Sequence, residues 1–100
     1  MRQWGFVYLA DGCDPERDVS RVDTGACLTV LVGVGEVEQV VAVAERLVTE
    51  GAQLIELCGA FGPVWTARVI DAVGARVPVG SVMYGGEATQ QLYDLFSLGA

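Results

Sequence analysis

The sequence predicts a small α/β protein built on a mainly parallel, four-stranded sheet: a strand, a long loop, then three strand–helix units in one domain. Three observations carry this reading. Strand-like runs alternate with amphipathic segments of helical length. One run, Cys27 to Val34 (CLTVLVGV), is apolar on both faces, as a central strand would be. Glycines stand where helices should end, at Gly51 and Gly74. Strands alternating with helices imply right-handed parallel crossovers. The arrangement expected is a half-barrel or a flavodoxin-like sheet.

Gln3 to Leu9 (QWGFVYL) is rich in β-branched and aromatic residues and reads as the first strand. Ala10 to Gly25 is polar, with Asp-Gly and Asp-Pro turn signals, and reads as a long loop. After the apolar strand, Val37, Val40, Val41, Ala44, Leu47 and Val48 recur at helical spacing within Glu36 to Glu50. Acidic residues in its first turn suit the helix dipole. Gln53 to Cys58 (QLIELC) reads as the third strand and Gly59 to Gly62 as a turn. Pro63 fits the first position of a helix ending near Val73. Val77 to Tyr84 reads as the fourth strand, Gly85-Gly86 as a turn, and Glu87 to Leu98 as a helix with Ala88, Leu92, Leu95 and Phe96 in its stripe.

Composition narrows the chemistry. Of 100 residues, 52% are hydrophobic, and 6 Lys+Arg against 13 Asp+Glu leave a formal charge of −7. Nucleic acid and anionic membrane surfaces attract clustered cations, so neither is expected as a partner. Histidine and lysine are both absent. That excludes a Ser-His-Asp or Cys-His nucleophile, a lysine Schiff base and a histidine-ligated metal built within one chain. No cofactor and no metal are expected. Cys13, Cys27 and Cys58 match neither a disulfide framework nor a zinc spacing. The opening residues do not read as a secretory signal, so reduced thiols and a cytoplasmic location are expected.

Two resemblances attach to Glu50 to Pro63 (EGAQLIELCGAFGP). With the aromatic first strand and the later PVG, this segment resembles a family of uncharacterised bacterial α/β proteins of about this length, which implies no activity. The run TVLVGVG, a helix, GAQLIELCGAFGP and VPVGSVMYGG is also similar to consecutive units of the tryptophan synthase α subunit and related TIM barrels. There the segment reads roughly G-A-D-x-I-E-L-G-x-P-F-S-D-P. The resemblance implies a catalytic acid–base role at Glu56. This chain has Ala60 in place of the proline before Phe61, and Gly62 in place of Ser-Asp. The second catalytic acid and the phosphate loops of that family have no counterpart.

Glu56 is the main candidate. Its neighbours Leu54, Ile55 and Leu57 are apolar, and burial there would raise its pKa toward the range of a general acid or base. The structural alternative ties it to Arg68, Arg76 or backbone N–H groups. Cys58 shares its face, at the carboxyl end of the strand where parallel sheets bind ligands; as an alternative it is a small buried hydrophobe. Tyr84 joins these two as a candidate catalytic residue and Tyr8 as a ligand-binding one, with rim packing as the alternative. The turn Gly59, Phe61 and Gly62, and the second turn Gly85 and Gly86, present N–H groups to a ligand; ordinary turn chemistry is the alternative. Asp11, Asp14 and Glu16 lack calcium-loop spacing and read as a solvated acidic loop.

The second helix carries two apolar stripes, Val64/Ala67/Ile70 and Trp65/Val69/Ala72. One sheet face cannot bury both, so a homodimer or higher oligomer is expected. Two functions are in view. One is a cofactor-independent lyase, isomerase or cyclase that uses Glu56 on a small metabolite. The other is a non-catalytic, homo-oligomeric small-molecule-binding or accessory protein.

Overall fold

The computed structural model describes residues 1–97. Its strands are β1 (Gln3–Leu9), β2 (Val19–Asp23), β3 (Leu28–Val34), β4 (Ile55–Leu57) and β5 (Val79–Ser81). Its helices are α1 (Val40–Thr49), α2 (Gly62–Val73) and α3 (Thr89–Ser97); single 3-10 turns, Val37–Gln39 and Gly86–Ala88, lead into α1 and α3. Leu98, expected to end the last helix, lies outside the described residues.

The sheet has five strands, not four, in the order β2-β3-β1-β4-β5. The extra strand, β2, lies within the expected loop and pairs antiparallel with β3; the other pairings are parallel. Its sequence VSRVD is largely polar because it is an edge strand with four of five residues exposed. Edge strands tolerate such composition. The first strand sits in the middle of the sheet, so β3 and β4 are not neighbours. Consecutive barrel units would place them side by side, so the half-barrel is not what forms.

The core lies between one sheet face and two helices. Val7, Val30, Val32, Val34, Ile55 and Leu57 from the sheet meet Val40, Val43, Ala44 and Leu47 of α1 and Val69 and Val73 of α2, all at most 4% exposed. Gly5 makes this packing possible: a Cβ there would stand 2.8 Å from Cδ1 of Leu47. Both helix-closing glycines adopt positive φ, 112° at Gly51 and 62° at Gly74. Gln39 accepts the N–H groups of Gly35 and Glu36 ahead of α1.

Among the described residues, the topology leaves the other sheet face without a helix. The links β3–α1–β4 and β4–α2–β5 run in one direction across the sheet and stack their helices on one side. The link from β1 to β3 runs the opposite way, where a right-handed helical crossover would cover the second side. Here that link is a loop and β2, which lies in the sheet itself. Among the described residues no helix is long and apolar enough to cross a membrane.

Candidate functional site

Strand alternation and register define the uncovered face. Gly5, Val7 and Leu9 turn toward the helices, so Trp4, Phe6 and Tyr8 form an aromatic row on the opposite side. Phe6 stands between Leu31 on β3 and Glu56 on β4. Glu56 in turn neighbours Gly80, beside which a Cβ would meet open space. Along β2 the face continues through Ser20 and the exposed Val22.

Glu56 is therefore exposed, not buried as the apolar neighbours in sequence suggest. Ile55 and Leu57 point into the core and Glu56 points away from it. No ion pair neutralises it among the described residues. The two arginines considered for that role are occupied elsewhere. The Arg68 guanidinium stacks over the Trp65 ring, 4.3 Å from its centroid. Arg76 donates to the carbonyls of Val73 and Ala72 at the end of α2, at 2.8 and 3.4 Å.

A second group gathers where β1 and β3 end. Cys13 Sγ and the Tyr8 ring both cover Gly33, each 2.8 Å from where a Cβ would be. Partial burial, with Cys13 and Asp18 beside it, pushes the Tyr8 hydroxyl above its ordinary pKa. Asp18 is held in the opposite sense. Its carboxylate accepts Arg17 at 2.8 Å and the Asp14 amide at 2.8 Å, and its pKa falls to about 2. Arg17 also donates to the Gly12 carbonyl at 2.6 Å, and Glu16 pairs with Arg46 of α1 at 3.0 Å. The acidic loop is thus tied to itself and to α1. Among the described residues no group of His, Cys, Asp or Glu is placed to hold a metal ion.

The remaining candidates divide. Cys58 is half-buried, and its sulfur accepts the Leu9 N–H at 3.4 Å, bridging the ends of β4 and β1. Phe61 is 4% exposed and belongs to the core, so its ring is not free to line a ligand site. Gly59, Gly62 and Tyr84 line a cleft of about 390 Å³ beside α2, away from Glu56 and Tyr8. Gly59 fits closely there: a Cβ would stand 3.1 Å from the Val82 carbonyl and 3.2 Å from the Tyr84 ring. At the second turn the Glu87 carboxylate lies against Gly85, and its negative charge opposes an anion there, although Gly86 faces open space. The structure thus brings Tyr8 and Glu56 to one face and places Tyr84 elsewhere. Trp4, Phe6, Cys13 and Asp18 were not among the expected site residues. The signal for the first two is legible as aromatic residues at every second position of QWGFVYL.

These features define a small, mostly parallel α/β protein with one sheet face packed against α1 and α2 and one aromatic, acid-bearing open face. The chain belongs to the family of unknown function DUF6506, whose model matches residues 2–97. No curated protein and no solved structure matches the chain.

Proposed function

We propose that the protein is a small-molecule-binding protein whose open sheet face takes a protonated organic amine. One observation carries this reading: Glu56 stands across from Phe6 in the row Trp4, Phe6, Tyr8, with no ion pair from an arginine to neutralise it. An aromatic row attracts a cation through its π faces, and a carboxylate adds a charge-assisted hydrogen bond. The formal charge of −7 favours approach of a cation. We read the four parallel strands, in the order second, first, third, fourth, as a flavodoxin-like sheet that lacks the helices of one side. The three unpaired thiols suit a reducing compartment, and the cytoplasm is the proposed setting.

Trp4 reports on this face directly. In a Trp65→Phe background, phenethylamine should change Trp4 emission saturably and bind about tenfold tighter than the neutral 2-phenylethanol. Glu56→Gln should remove most of that preference, leaving only the smaller share that the aromatic row supplies. Equal binding of the two compounds by the unsubstituted face overturns the proposal.

A second reading keeps Glu56 as the acid–base group of a cofactor-free lyase, isomerase or cyclase. The position of Glu56 and Tyr8 near the carboxyl ends of adjacent strands favours it. A turnover that survives Glu56→Gln excludes it.

A further inference from the structure

The last helix has no place in its own subunit. α3 seals none of its side chains from solvent: Leu92 is half-buried and its other residues are exposed. Tyr93, Leu95 and Phe96 are exposed, Phe96 by 74%. Its substantial contact is with the 3-10 turn that leads into it. After β5 the chain has no regular secondary structure from Val82 to Gly85, and Gly85, with extended backbone, leads into that turn. The result is a long molecule, 41 × 27 × 25 Å, with a radius of gyration of 14.2 Å. A compact chain of this length has about 13 Å.

The fold also contains a vacancy of the matching kind. A helix following β5 in a right-handed sheet belongs beside α2, on the already covered face. That position is the cleft of about 390 Å³ between Pro63, Ala67 and Ile70 of α2 and the segment Val82, Met83 and Tyr84. Met83 is 87% exposed, and Ile70, Val82 and Tyr84 are exposed with it. An apolar helix without a seat and an apolar seat without a helix occur in one chain, joined by a segment that carries the helix outward.

We infer that two copies exchange their last helices: α3 of each copy fills the cleft beside α2 of the other. The exchange is two-fold and closed, as domain-swapped dimers are. The available area agrees. Seven exposed apolar side chains (four at the cleft, three on α3) present on the order of 800 Å² per copy, about what each partner contributes to a stable interface of standard size. This surface is separate from the open sheet face, so the amine site and the exchange stand or fall independently.

Sedimentation of the full chain at micromolar concentration should show a dimer. Phe96→Asp on the helix and Ala67→Glu in the cleft replace exposed residues. Each should weaken dimerisation about 30-fold or more while circular dichroism stays native. Chains carrying Ala67→Cys mixed with chains carrying Phe96→Cys should give a disulfide-linked pair under mild oxidation, above the level seen with the unsubstituted chain. A monomer at micromolar concentration overturns the inference. So does a dimer that persists in both charged variants, which would place the interface elsewhere. A double variant, Ala67→Cys with Phe96→Cys, that closes its disulfide within a single chain shows self-occupation and overturns it as well.

Discussion

Arg17 and the Asp14 amide together keep Asp18 ionised down to about pH 2. The carboxyl is depressed relative to its unfolded value of about 3.9. Its contribution to stability is therefore complete above that value and is lost as pH falls toward 2. Urea denaturation between pH 5 and pH 2 checks this. Asp18→Asn should lower stability at neutral pH and flatten the acid limb of the curve, because the variant has no such proton to take up. Tyr8 works at the other end of the scale. Its raised pKa leaves its contribution intact below about 10, and that contribution declines as pH rises through the higher folded value. Glu56 shows how a single position misleads when read from its neighbours. Flanking apolar residues in a strand place their own side chains on the opposite face, so they say nothing about burial at the position between them. What decides is whether anything covers that second face, and this depends on topology.

At the scale of elements, the parts that fold on one sheet face were legible and the parts at its margins were not. The helical spacing of the apolar residues of α1 and the glycines that end α1 and α2 appear where expected, because local backbone requirements dictate them. β2 was hidden because an edge strand needs no apolar alternation. β5 is shorter than the run Val77 to Tyr84, since β4 offers it only Ile55–Leu57 as partners. On α2 the two apolar stripes separate cleanly. Val69 and Val73 are sealed in the core, while Val64 and Ile70 remain exposed. The docking of α1 rests on Leu47, which is 1% exposed and lies against Gly5. Leu47→Ala should cost about 2–5 kcal/mol in a urea titration, since the rigid strands on one side cannot collapse into the space left. A loss below about 1 kcal/mol would mean that α1 is not anchored through this contact.

At the scale of the molecule, everything turns on how the chain travels from its first strand to its second parallel one. The route through β2 keeps the sheet one layer deep on that side, and this is why Trp4, Phe6 and Glu56 meet solvent. Strand order is not encoded in local periodicity, so neither this open face nor the outlying last helix was visible from residue patterns alone. The short passage from Asp11 to Arg17 is consequently the point at which the architecture stays unfinished. A helical insertion grafted there would roof the aromatic row, silence Glu56 as a contact for visitors, and turn a half-clad sheet into a self-sufficient two-sided one.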